Sequence, residues 1–117
     1  MPLPGDLPQR INAFATAREW DKFHSPKNLA MALSVEAAEL LEHFQWLTEQ
    51  ESYTLPADKL AAVESEIADV LIYLVRLADR LHVDLYAAAD RKLLANEEKY
   101  PVDKARGNAK KYTEFER

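Results

Sequence analysis

The chain has 117 residues, no cysteine, 30% charged side chains and a formal net charge of −5. This length suits one domain with its own hydrophobic core, and the lack of cysteine excludes disulfides and thiolate-held metal clusters and fits a reducing, cytoplasmic setting. The acidic balance argues against a broad nucleic-acid surface, no stretch is long and apolar enough to span a bilayer, and Met1–Asp6 lacks the basic and apolar regions of a secretory signal.

The only glycines, Gly5 and Gly107, lie near the ends, and alanine, leucine, glutamate and lysine dominate the middle. That composition predicts an all-α chain. A first helix is expected from Asp6, as N-cap with Pro8 in the first turn, to about Phe23. Ile11, Phe14, Ala15 and Arg18 form its inward face. Ser25-Pro26 reads as an N-cap followed by proline at the first helical position, opening a second helix that reaches about Leu47. Residues 48–57 are polar, contain Pro56 and lack periodicity, so they are expected to form the main loop. Asp58 is a candidate cap for a third helix ending near Leu81. Its centre, from Ile67 to Val75, is apolar nearly all round, which predicts burial on several sides and a homo-oligomer, dimer or tetramer. Asp84 should cap a fourth helix from Leu85 to Lys99, stopped by Pro101. Residues 101–117 form a basic tail without an apolar face, either disordered or ordered by phosphate.

The second and third helices each carry a pair of acids three residues apart, Glu36 with Glu39 and Glu66 with Asp69. On a helix such residues are neighbours, about 5–6 Å between Cβ atoms. Leu29, Leu33, Leu40 and Leu47 fall on the side of Glu36, and Val63, Val70, Leu74 and Leu77 on the side of Glu66, so both pairs sit inside apolar stripes. An inward carboxylate is costly unless something compensates it, and neighbouring carboxylates raise one another's pKa. A hard divalent cation answers this, and Mg2+ suits because it takes oxygen ligands and keeps positions for water or phosphate. The competing reading is a pair of wet helix faces balanced by lysine and arginine, which fits Glu42 well.

Trp20 and Trp46 sit near the ends of their helices, where an aromatic plane can stack on a base. The alternative for both is partial burial in a core or interface. His24, in the turn before the second helix, has either a base or phosphate contact or only local hydrogen bonds; His43 and His82 are read as structural. Tyr73 shares a helix side with Glu66 and Asp69. Lys92 and Asn96 lie four apart on the fourth helix, with Lys99-Tyr100 a turn further on, a face suited either to triphosphate oxygens or to plain solvent.

Together, residues 23–29 (Phe-His-Ser-Pro-Lys-Asn-Leu), Glu36-Ala-Ala-Glu39 running into Phe44-Gln-Trp46, Glu66-Ile-Ala-Asp-Val-Leu-Ile-Tyr73 and the stretch Lys92 to Pro101 resemble the MazG-like, all-α nucleoside triphosphate pyrophosphatases, dCTP pyrophosphatase branch. The likeness runs from about Phe14 to Tyr112. It implies a four-helix subunit, forming a single domain over 1–117, that oligomerises and uses Mg2+ to hydrolyse an NTP to NMP and pyrophosphate. It also implies that Glu36, Glu39, Glu66 and Asp69 bind metal and serve catalysis. Trp20, His24, Trp46, Tyr73 and Asn96 match positions around base and sugar, and Lys92 and Tyr100 match positions near the phosphates, as the segment Arg106 to Tyr112 does more loosely. One departure is Glu97-Glu98, where that branch carries basic residues. The expected substrate is dCTP or a modified dCTP, in nucleotide-pool sanitation. The rival from another class is a helical interaction module or nucleotide sensor with a structural cation.

Overall fold

A computed structural model describes residues 5–115; residues 1–4 and 116–117, which include most of the stretch read for a signal and the end of the tail, lie outside the described residues. All regular structure among the described residues is helical: α1 (Leu7–Ala17), a 3-10 turn (Trp20–Lys22), α2 (Pro26–Glu42), α3 (Glu49–Ser52), α4 (Ala57–Arg80), α5 (Leu85–Lys99), α6 (Val102–Ala105) and a 3-10 turn (Tyr112–Glu114). The four long helices are the four expected from sequence. Chain contacts divide these elements into two compact units, with the boundary between Val83 and Asp84.

In the first unit, α2 packs along α4, and α1 packs on α4 as well. His24, just before α2, reaches Arg76 and Arg80 on α4, while Glu36 lies with Glu66, so the two helices run antiparallel. The buried apolar residues are Ile11 and Ala15 from α1, Leu29 from α2, and Val63, Val75 and Ala78 from α4. Leu29 is the largest fully buried side chain, at 1% exposure. Burying a leucine fully is worth about 1.5–3 kcal/mol, so the α2–α4 seam carries much of this small core.

Several boundaries differ from the sequence expectation. α1 ends at Ala17, not near Phe23, because Glu19 turns into the left-handed region with φ 55°. Arg18 helps close the helix: its Nη1 donates to the Phe14 carbonyl at 3.1 Å and its guanidinium lies 3.7 Å from the Phe14 ring centroid. Arg18 is therefore an outward residue, while Phe14, half exposed, lies at the edge of the inward face beside Ile11 and Ala15. Asp6 occupies the N-cap without a side-chain cap bond. Ser25 does cap α2, its hydroxyl accepting from the Asn28 amide at 3.1 Å.

α2 stops at Glu42, five residues before the expected end, and the chain passes through turns closed by Phe44 N–H donating to the Leu41 carbonyl and Leu47 N–H to the Phe44 carbonyl. The expected loop contains α3, which the capping box of Thr48 and Glu51 nucleates in four residues. α4 begins after Pro56, so Asp58 sits inside its first turn, where a negative side chain suits the helix dipole, and does not cap it. At its other end Leu81 is the C-cap and His82 adopts φ 57°. The Val83 amide donates to the Ala78 carbonyl and the His82 amide to Asp79, the Schellman pattern with histidine where glycine is usual.

The centre of α4 is not covered on all sides in one chain: Ile67, Ile72 and Leu74 are exposed. In the second unit, Asp84 caps α5 as expected, accepting from the Ala87 amide. The described part of the tail forms α6 and the last 3-10 turn, where Tyr100 meets Tyr112 and Phe115 edge to face.

Candidate metal and nucleotide site

Glu36 and Glu39 come from one face of α2 and Glu66 from the facing stripe of α4. One carboxylate oxygen from each lies within 4.8 Å of the others, and all three residues are half-buried. Glu36 Oε2 and Glu66 Oε2 are shielded from water, and no donor reaches either. The antiparallel seam and the apolar residues around it produce this arrangement: Leu29 and Val63, in the same stripes, draw the backbones together and carry the acids with them.

Facing the Glu66 carboxylate, partly buried, and beside Glu39, the Glu36 carboxyl is pushed up from 4.5 to about 7. Its folded value thus exceeds its unfolded one. Between pH 4.5 and about 7 the folded chain holds a proton that the unfolded chain has released, so this group's contribution to stability is lost as pH rises through that window. His24, depressed below 6.5 by burial and by the nearby Arg76 and Arg80 cations, acts in the opposite direction, stability being lost as pH falls. The expected result is that, without divalent ions, the melting temperature of the protein falls relative to Glu36→Gln as pH is raised through this window. A constant difference between the two melting curves would contradict the raised Glu36 pKa.

Asp69, one turn along α4, does not join the three-acid group among the described residues. It lines a neighbouring cavity of about 260 Å³ together with Trp20, His24, Tyr73, Ile11, Phe14, Ala15, Ile72 and Arg76. Trp20 packs edge to face on Phe14, with centroids 5.5 Å apart, and lies 5.9 Å from the His24 ring. Small-molecule pockets usually span about 300–1,000 Å³, so this one matches part of a nucleotide rather than all of it. A larger hollow of about 440 Å³ between Leu47 and Lys59, lined by Glu51 and Asp58 among others, has no aromatic wall.

Trp20, His24, Tyr73 and Asp69 thus line one cavity, whereas the sequence placed Asp69 with Glu36, Glu39 and Glu66, a group of four acids of which the structure brings together only three. Trp46 is not: it stands 87% exposed on the turn after α2 and does not line the cavity. α2 ends before reaching it, so its ring has no neighbouring helix to lie on. Lys92, Asn96 and Tyr100 belong to the second unit; Lys92 is exposed, while Asn96 and Tyr100 are half-buried, with the Tyr100 amide donating to the Asn96 carbonyl at 2.8 Å. The sequence reading passed over Arg76, Asn12 and Asp21. Arg76 is only 3% exposed and hydrogen-bonds Asn12, Asp21 and His24. The signal was present: Arg76 continues the spacing Glu66, Asp69, Tyr73 on one stripe of α4, where a cation among apolar residues demands partners.

A profile of the MazG-like family matches residues 31–115, a span that includes all four acids and Trp46. The chain belongs to the MazG-like family. Among curated relatives, this MazG-like chain is 46% identical to mouse dCTP pyrophosphatase 1 over 112 residues, covering 93% of the chain and 66% of the mouse protein. It is also 46% identical to the human dCTP pyrophosphatase 1 over 111 residues, 92% of the chain and 65% of the human protein. The chain therefore spans slightly less than two thirds of these relatives' length. A crystal structure of a pyrophosphatase from Archaeoglobus fulgidus superposes with a TM-score of 0.78 at 44% identity, covering 82% of this chain and 90% of that one.

Proposed function

We propose that this MazG-like protein is a Mg2+-dependent nucleoside triphosphate pyrophosphohydrolase that acts on dCTP or a modified dCTP, releasing dNMP and pyrophosphate in nucleotide-pool sanitation. The observation that carries this reading is the pair of shielded, unpartnered oxygens of Glu36 and Glu66 beside Glu39. Such a donor set, all oxygen and all anionic, fits a hard divalent ion and poorly fits any neutral ligand. Glu36, Glu39 and Glu66, with Asp69 a turn away, would hold Mg2+. When bound, it would polarise phosphoryl oxygens and neutralise charge on the departing pyrophosphate.

The chain's own residues do the rest. Water attacks the α-phosphorus, the bond to the pyrophosphate oxygen breaks, and the proton of the water passes to a carboxylate, Glu36 or Glu39. The base lies against Trp20 in the cavity that His24 and Tyr73 help to line. Lys92 and Tyr100 remain our candidates for phosphate contacts and Asn96 for a base or sugar contact, with residues 1–117 read as one domain acting in the cytoplasm. The cytosine preference rests on the names of the mouse and human relatives.

The exposed apolar residues Ile67, Ile72 and Leu74 of α4, with Trp46, support a homo-oligomer in which a second copy covers them and Trp46 closes on a base. The test is a panel of NTPs and dNTPs incubated with protein and Mg2+, with NMP and pyrophosphate measured. Release of pyrophosphate from dCTP above the others supports the reading; release of orthophosphate, or of nothing, overturns it. Trp20→Ala is expected to raise KM for dCTP about 10-fold or more, the value of one stacked base, with a smaller change in kcat. An unchanged KM would remove Trp20 from the base site.

A further inference from the structure

Arg76 is the one buried charged side chain among the described residues, and none of the roles above uses it. Its Nε donates to His24 Nδ1 at 3.2 Å, Nη1 to Asn12 Oδ1 at 2.8 Å, and Nη2 to Asp21 Oδ1, with Asp79 Oδ2 3.8 Å from Nη1. These partners come from α1, the 3-10 turn, the residue before the α2 cap, and α4. Asp21 is in turn held by the Thr16 hydroxyl, and the His24 carbonyl accepts from Arg80 Nε.

A guanidinium has donors and no lone pair, so the ring nitrogen that meets Arg76 Nε cannot carry a proton. An imidazolium, or a neutral ring protonated at Nδ1, would set N–H against N–H. The remaining state is a neutral ring with its proton on Nε2, which is then the only polar hydrogen His24 can offer the cavity it lines.

We propose that Arg76 is a positioning residue: it fixes His24 as the neutral Nε2–H tautomer and so makes that part of the cavity a hydrogen-bond donor that selects a base edge bearing an acceptor, a carbonyl oxygen or a pyridine-type nitrogen. Burial and the Arg76 and Arg80 cations act in the same sense by depressing the His24 pKa, with Asp21 opposing. The selection of a base edge rests on the pyrophosphohydrolase reading; the tautomer does not.

The test is two-bond 1H–15N correlation spectroscopy of the histidine rings in the 117-residue chain at about pH 7.5, without nucleotide. His24 is expected to show a pyrrole-type Nε2 and a pyridine-type Nδ1. In Arg76→Met, which keeps an apolar stem in the core, both shifts should move toward the averages of a ring sampling two tautomers. In Arg76→Lys, which keeps the cation and a donor, they should return part of the way. A protonated Nδ1 in the wild type, or Arg76→Met shifts superimposing on those of the wild type, overturns the proposal; if Arg76→Met does not fold by circular dichroism, the wild-type and Arg76→Lys spectra decide it.

Calorimetric titration with dCMP reads the second half: affinity should fall about tenfold in Arg76→Met, the value of one hydrogen bond, and unchanged affinity with a lost tautomer overturns the selection. A wild type that shows the Nε2–H ring but cleaves no NTP sinks the pyrophosphohydrolase reading and leaves the tautomer standing, so the two failures are distinct.

Discussion

Glu36→Gln is expected to leave the helical circular dichroism intact, reduce pyrophosphate release at least about 100-fold, and raise the melting temperature of the metal-free protein. The activity loss follows from removing an anionic ligand; even residues behind the ligands in metal sites cost about 10–100-fold. The gain in stability follows from the orphaned oxygens. A glutamine amide supplies the donor that Glu66 Oε2 lacks and deletes one of three crowded charges, worth about 1 kcal/mol for a bond newly made, or about 4 °C in a domain of this size. Opposite signs on activity and stability distinguish a site built for an ion from a solvated acidic face, where neither quantity would move far. Near wild-type turnover in Glu36→Gln at ordinary Mg2+ would dismiss the cluster as the catalytic centre.

Leu29→Ala is expected to cost about 3 kcal/mol, within the roughly 2–5 kcal/mol seen for large-to-small changes in close-packed cores, and to lower the melting temperature by about 12 °C. Leu29 is the largest apolar side chain among the described residues that is almost wholly removed from water, and it lies in the seam between α2 and α4. It precedes Glu36 by seven residues, close to two helical turns, so it locks the same face that presents the acids. The cation-induced rise in melting temperature should therefore shrink in this variant along with the stability. A loss below about 1 kcal/mol, with the response to Mg2+ unchanged, would show that the acids are positioned by something other than this packing.

The acidic cluster was legible in the sequence because two simple periodicities determine it. Glu36 and Glu39 sit in a leucine stripe and Glu66 in a valine stripe, and antiparallel packing of the two stripes brings these three together, while Asp69, expected as the fourth, lines the neighbouring cavity instead. Asp84 and Ser25 were readable for a similar reason, since a short polar side chain before a helical run has a local job. What was not legible depended on contacts far apart in sequence or on conformations without a residue signature. The clamp on Arg76 joins residues 12, 21, 24 and 76, and only the folded backbone brings them together. The early ends of α1 and α2 went unseen because neither carries glycine or proline at the break; Arg18 bonding to the Phe14 carbonyl and i→i−3 turns after Leu41 do that work. The exposure of Ile67, Ile72 and Leu74 refines the expectation for α4: the apolar girth is real, and a single chain does not cover it.

Glu19, with its left-handed backbone, touches neither the acids nor the cavity, yet it decides where the chain doubles back and hence which way the next residue, Trp20, can face. A β-branched residue there would resist the twist, whereas glycine would accept it freely. Descendants of this chain can therefore retune the shape of the aromatic wall by altering a position outside the cavity lining, so that the form of the hollow becomes heritable through a bend rather than through a contact.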